Sequence, residues 1–270
     1  MGGPGIAALA SALADLVLPR TCAGCGIPGW VLCPRCAPLL AEPRTASPRR
    51  FPWGFPPTVA AGAYAGPVRP AVIAFKERGR AELAVPLGAA LALAVAAVVS
   101  AVPGPQRPIV LVPVPSSRQA LRSRGRDHVR ELTARAVVEL RTAGVVASEA
   151  RLLRRRGRAR DSAGLSAAQR RANLAGTFER APGPRAHPPG ALLVLVDDVV
   201  TTGATLTEAA AVLGPMGSVG GAPVLAAVVA ATPRADPERR PGAHLPVVGK
   251  RAENVRRRPL DRLSGPAQGD

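Results

Sequence analysis

The stretch "ALLVLVDDVVTTGAT", residues 191 to 205, constrains the chain more than any other. Six consecutive apolar residues, Ala191 to Val196, describe a strand covered on both faces, as in a parallel sheet. Asp197 and Asp198 follow at once, so the run predicts two carboxylates at the carboxyl end of a central strand. Thr205 and Glu208 then have capping-box spacing, and Leu206, Ala209, Ala210 and Leu213 share one helical face. The segment therefore predicts a strand, a short polar loop and a helix. Open α/β sheets bind ligands at such carboxyl ends. Backbone amides freed by Gly203, the hydroxyls of Thr201, Thr202 and Thr205, and the positive helix end suit a phosphate. Carboxylates do not suit phosphate, but an ionised Asp accepts hydrogen bonds from a diol. Acids beside a phosphate cradle predict a sugar phosphate. No G-x-x-x-x-G-K-[ST] occurs, which sets aside a nucleoside triphosphatase despite the likeness of hydrophobic-Asp-Asp to its metal-binding strand.

The surrounding pattern agrees with an α/β domain. Ile109 to Val114 is a buried-strand candidate, followed by a loop at 115–126 and a helix from about Asp127. Val129, Leu132, Ala136, Val137 and Leu140 keep helical spacing, and Gly144 ends the run. Further strands are predicted within Val145 to Leu153 and Ala222 to Ala231. Strands alternating with helices imply a mostly parallel sheet flanked by helices. Leu83 to Gln106 has no charged residue and is long enough to span a membrane. Its alanines, with Pro86 and Gly88 near the start, predict a buried helix instead, and no membrane span is expected.

All four cysteines fall within "CAGCGIPGWVLCPRC", as Cys22-x2-Cys25-x7-Cys33-x2-Cys36. Two thiolate pairs suit one tetrahedral structural Zn2+; an iron site of the same shape and a redox dithiol are the alternatives. The three histidines are far apart in sequence, unneeded as ligands, and expected on the surface or in loops. After Cys36, six prolines between Pro38 and Pro57 predict an irregular linker. Phe51, Trp53 and Phe55 alternate in it, either docking on the next domain or stacking on bases beside Arg49 and Arg50.

Of 36 basic side chains only Lys76 and Lys250 are lysines, leaving 34 arginines, and the formal net charge is +18. That field attracts polyanions, whether nucleotides, pyrophosphate or nucleic acid. Arg151 to Arg171 holds eight arginines against Asp161 alone. Three readings stay open for it: a loop closing over pyrophosphate, a grip on a nucleic-acid backbone, and a solvated basic loop. Aromatic residues are only 3%, which disfavours a dedicated base-stacking surface. The expected organisation is a short N-terminal helix (1–21), a cysteine module (22–36), the proline-rich linker (37–57), the α/β domain (58–232) and a basic tail (233–270) expected to be disordered. The N-terminal segment makes a poor signal peptide, and a cytoplasmic location is expected.

"VLVDDVVTTGAT", 194–205, resembles the signature of type I phosphoribosyltransferases. With the four-cysteine knuckle, "FKERGR" (75–80), "VPVP" (112–115), "RSRGR" (122–126) and "GLSAAQRRANLAGTF" (164–178), the chain resembles the ComF/GntX family of competence-associated phosphoribosyltransferase-like proteins, from about Leu16 to Ala231. The resemblance implies the type I phosphoribosyltransferase fold behind a small zinc module, and binding of 5-phosphoribosyl 1-pyrophosphate (PRPP) with Mg2+. It implies that Asp197 and Asp198 hold the ribose hydroxyls and that Val199, Val200, Thr201, Thr202, Gly203, Ala204 and Thr205 form the PRPP loop. Ser116, Arg118, Arg122 and Arg124 then lie on the pyrophosphate side. Single-stranded DNA and a DNA-uptake helicase are the implied partners of a non-catalytic alternative. Two departures stand out: "RGRDH" at 124–128 where relatives often read R-G-F-N-Q, and Ser162 where they often have Gln.

Overall fold

The computed structural model describes residues 20–48, 52–156, 176–182, 188–217 and 223–233. Residues 1–19 of the N-terminal helix expected over 1–21, most of the tail and most of the arginine-rich stretch 151–171 lie outside these residues. A six-stranded sheet forms the centre, built from β1 (Arg44–Thr45), β2 (Thr58–Ala63), β3 (Ile109–Pro113), β4 (Ala147–Glu149), β7 (Leu192–Val200) and β8 (Leu225–Ala231). Its order is β1-β2-β8-β7-β3-β4, with β1 antiparallel and every other pairing parallel. β5 (Leu153–Arg155) and β6 (Phe178–Arg180) form a separate antiparallel ribbon.

Helices cover both faces. α1 (Val68–Glu77), α2 (Ala84–Ser100) and α4 (His128–Thr142) pack on one, and α5 (Ala204–Gly217) on the other. A seven-residue α3 (Arg118–Arg124) lies ahead of α4. The alternation of β7 shows why the sheet needs two covers. Val194 and Val196 enter the core shared with α1, α2 and α4, while Leu193 and Leu195 enter the core shared with α5. On α5, Leu206, Ala209, Ala210 and Leu213 are buried as their spacing predicts, as are Val129, Leu132, Ala136, Val137 and Leu140 on α4.

The chain passes from β3 to β4 on one side and from β7 to β8 on the other. The strand order therefore reverses between β3 and β7, where the two crossovers leave a crevice at the carboxyl ends. The helix Ala81–Ser100 is long and apolar enough to cross a membrane by length and composition, and 50% of that window is buried in the fold.

Four local expectations need correction. The proline-rich segment is not wholly irregular: Ala37–Leu40 forms a 3-10 turn that buries Leu40, and Arg44–Thr45 pairs with β2 as the sheet edge. Prolines are tolerated there because an edge strand leaves one side unpaired. The strand expected across Val145–Leu153 breaks after Glu149, so Arg155 leaves the main sheet for the β5–β6 ribbon. Residues 118–124, read as loop, are helical, with Ser117 Oγ accepting from Ala120 N at 3.1 Å. The capping box at Thr205 does not form at the helix start, because Gly203 O already accepts from Thr207 N at 3.0 Å and takes the cap position two residues earlier.

Candidate functional site

The two aspartates stand on β7 itself, since the strand runs on through Val200 beside β8. Adjacent strand residues point to opposite faces, so the pair is split. Asp198 continues the row of Val194 and Val196 toward α1 and α4. Lys76 Nζ of α1 lies 2.8 Å from its Oδ2, and His128 Nε2 of α4 lies 3.0 Å from the same oxygen. Val199 N donates to Oδ1 at 2.7 Å. A carboxylate has about four acceptor positions, and three are filled from within the protein.

The partners are themselves held. Arg124 Nη1 approaches His128 Nδ1 at 3.5 Å. A guanidinium only donates, so Nδ1 accepts and the ring proton sits on Nε2, facing Asp198. Arg124 also forks onto Glu77, at 2.9 and 3.2 Å. Arg126 pairs with Glu131, donates to Phe75 O and lies over the Phe75 ring, whose edge meets His128. Asp127 Oδ1 caps α4 at Arg130 N. Arg126 and His128 thus meet around Phe75 behind Asp198, and Asp127 caps the helix that carries His128.

Burial alone would raise Asp198, but the His128 hydrogen bond and the Lys76 charge hold it well below the usual carboxylate range. Burial works against the Lys76 ammonium, and the Asp198 charge overcomes it and raises that group. Asp197 is the more exposed of the two carboxylates. Burial and the Asp198 charge beside it push Asp197 up to about 8, against the pull of Lys76 and of the Asp198 amide. At neutral pH the pair therefore carries one proton and one negative charge. Lys76 balances that charge.

Beyond Val200, Thr201 and Thr202 form an exposed turn and Gly203 a buried one with φ +77°. Ala204 and Thr205 open the first turn of α5, whose amides have no partner within the helix. A side chain at Gly203 would come within 2.8 Å of the Phe55 ring and 3.1 Å of Pro48, so only glycine fits both the angle and the space. Phe55 docks, as one of the two readings expects, while Trp53 is 100% exposed. Phe51 lies outside the described residues. A cleft of about 280 Å3 opens between α1 and the end of β7, lined by Tyr64, Ile73, Lys76, Glu77, Asp198 and Thr201 among others.

On the β3 side, Ser116 lies beyond the strand end and is half-buried, Arg118 and Arg122 are exposed on α3, and Arg124 is committed to Glu77. Sequence reading missed two residues of the site. His128, expected at the surface, is 2% exposed; its partner is 70 residues away, and only the sheet brings them together. Lys76 carried a faint signal as one of two lysines among 36 basic residues.

The four cysteines converge, with all Sγ atoms within 4.8 Å of one another and Cys25 Sγ 3.5 Å from Cys33 Sγ. None forms a disulfide. Sulfurs bound to one zinc at about 2.3 Å stand roughly 3.8 Å apart, so the donor set fits a tetrahedral ion. Convergence on one point is not what two independent redox pairs require. Cys33 N donates to Cys22 Sγ at 3.3 Å, as amides do to thiolates. The module is docked: a side chain at Gly24 would meet Cys36 Sγ and Pro67 O, each at 3.0 Å, and Arg80 Nη1 donates to Thr21 O at 2.7 Å.

No protein-family model and no curated protein matches the chain.

Proposed function

We propose that this chain is a phosphoribosyltransferase-like protein of the ComF family that binds PRPP at the β7–α5 turn. The observation that carries the reading is the placement of Asp197 and Asp198 at the switch-point end of β7, one turn before an exposed Thr201-Thr202 pair and a Gly203-capped helix. That order sets carboxylates suited to a diol at the strand end, just ahead of a loop whose amides and hydroxyls suit a phosphate. Asp197, holding a proton near neutral pH, both donates to and accepts from ribose hydroxyls, while Asp198 is left about one free acceptor position. In group transfer, pyrophosphate departs from C1 of the ribose with the bonding pair, and an acceptor nitrogen forms the new bond. The oxocarbenium-like transition state needs positioning and charge rather than a covalent nucleophile. Lys76 already neutralises Asp198, so the Asp pair would offer little to a divalent cation, and Mg2+ bound together with the ligand would supply charge neutralisation for the leaving pyrophosphate. Zinc in the four-cysteine cluster is structural, because four thiolates leave no open position.

Calorimetry with PRPP and Mg2+ tests this on the zinc-loaded chain and a D197N/D198N variant. Micromolar binding lost in the variant supports the reading; no heat and no thermal stabilisation at saturating ligand sinks it. A second reading, a non-catalytic nucleic-acid module with single-stranded DNA and an uptake helicase as partners, is favoured by the fully exposed Trp53 and the net charge of +18. It requires a steep salt dependence of single-strand binding that W53A weakens.

A further inference from the structure

Helix α2 is apolar all round, yet the fold covers only part of it. It holds no charged residue from Ala84 to Ser100, and a helix without a polar face is ordinarily buried on every side. Leu87, Leu91, Ala94, Val95 and Val98 do enter the core beside α1 and α4. Val85 and Leu93 are each 46% exposed, Ala96 is exposed and Ala89 is half-buried. At 3.6 residues per turn these four fall within an arc of about 80°, so they form one continuous apolar stripe.

What can reach the stripe is set by where the N-terminal segment joins the fold. Arg20 O accepts from Gly29 N at 2.7 Å, and Thr21 O accepts from Arg80 Nη1 at 2.7 Å. Arg80 Nε also donates to Glu82 Oε1 at 2.7 Å, in the 3-10 turn Ala81–Leu83 that leads directly into α2. The chain ahead of Arg20 is therefore tethered at the Val85 end of the stripe. Its sequence "IAALASALADLVL", from Ile6 to Leu18, sets Ile6, Leu9, Leu13, Leu16 and Val17 within about 100° of a helix, with Ser11 and Asp15 opposite. Pro19 ends the pattern. Ile6 to Val17 and Val85 to Ala96 are the same number of residues apart, about 16 Å of helix in each case. The other stretches outside the described residues, 157–175 and 234–270, are arginine-rich and carry no such face.

We infer that the exposed stripe of α2 is the docking site for this chain's own residues 6–18, lying as a helix antiparallel to α2 with Val17 beside Val85, Leu9 beside Leu93 and Ile6 beside Ala96. The direction follows from the tether, which holds the carboxyl end of the segment at the amino end of α2. A helix of this length is marginal alone in water, so segment and stripe each supply the cover that the other lacks. The contact also bears on the cysteine module. Thr21 joins the segment to Cys22, so the module is gripped from both ends, by the docked segment before it and by Leu40 in the main core after it.

Hydrogen exchange on the full zinc-loaded chain, with sedimentation to fix its mass, tests this in wild type, L9D and L93D. Wild-type amides of residues 6–18 are expected to exchange about tenfold or more slower than the same sequence as a free peptide. Each variant, one in the segment and one on the stripe, is expected to return them to the free-peptide rate, with a monomer throughout. Leu93 is exposed, so L93D spares the core of α2; should it fail to fold, A96D at the exposed far end of the stripe takes its place. Free-peptide rates in wild type overturn the inference. Protection that survives either variant overturns it as well, since the segment would then be seated elsewhere. A wild-type dimer that L93D dissociates overturns it and assigns the stripe to a second copy. Flotation of wild type, but not L93D, with phosphatidylcholine vesicles overturns it in favour of a membrane surface.

Discussion

Lys76 Nζ and His128 Nε2 meet on a single oxygen of Asp198, at 2.8 and 3.0 Å. Two donors from two helices thus fix one carboxylate at the end of a central strand. Asp197, its neighbour in sequence, is left to respond to ligand and pH.

The first consequence concerns stability. Removing the Lys76 charge leaves Asp198 buried with one donor fewer on Oδ2. K76M is expected to lower unfolding free energy by about 2–3 kcal/mol, less than a fully buried pair because Lys76 is partly exposed. D198N relieves that loss, so urea unfolding of K76M, D198N and the double variant should give a coupling of about 1–3 kcal/mol. K76R should not restore wild-type stability, because a broad guanidinium cannot share Oδ2 with His128. Additive effects would remove the pair from the account.

The pH profile separates the two acids. The folded value of Asp197 lies above its unfolded value, so its stabilising contribution is complete below about pH 4 and lost as pH rises through about 8. Asp198 lies below its unfolded value, so its contribution is present above about pH 4 and lost as pH falls further. In denaturant titrations across pH, D197N should flatten the decline between about 4 and 8, whose slope is at most about 1.4 kcal/mol per pH unit. An unchanged slope would refute the protonated Asp197.

Gly203 joins the β7–α5 turn to the proline-rich segment. G203A meets both a positive φ and the Phe55 ring, and is expected to cost about 2–4 kcal/mol. F55A removes the clash but not the backbone strain. Thermal unfolding of G203A/F55A should therefore show a smaller loss than the two single losses added, while strict additivity would mean that ring and turn are not in contact.

Metal analysis should find one zinc per chain, falling to none in a C22S/C36S variant. Leu40, four residues after Cys36, is buried in the main core, and Gly24 packs on Pro67 ahead of α1, so metal loss should reach beyond the module. Chelation is expected to lower the midpoint by about 5–10 °C, or roughly 2–3 kcal/mol. No change on chelation would make the cluster independent of the fold.

The sequence by itself determined the features set by neighbours along the chain. Apolar runs at Ile109–Pro113 and Leu192–Val196 became parallel strands because both faces needed covers. The 3.6-residue spacing of Val129 through Leu140 became one side of α4, and the two Cys-x2-Cys pairs met at one point. Only the tertiary structure decided what the aspartates do. Their opposite environments come from the strand pleat combined with which helix covers each face. His128 and Lys76 reach Asp198 through that cover, from 70 and 122 residues away in sequence. Arg155 reaches Pro115 O beyond the end of β3 only because the expected strand breaks after Glu149 and sends the chain into a separate ribbon. Such contacts arise from the order of strands in the sheet, and hydrophobic periodicity, which records only whether a face is covered, does not encode that order.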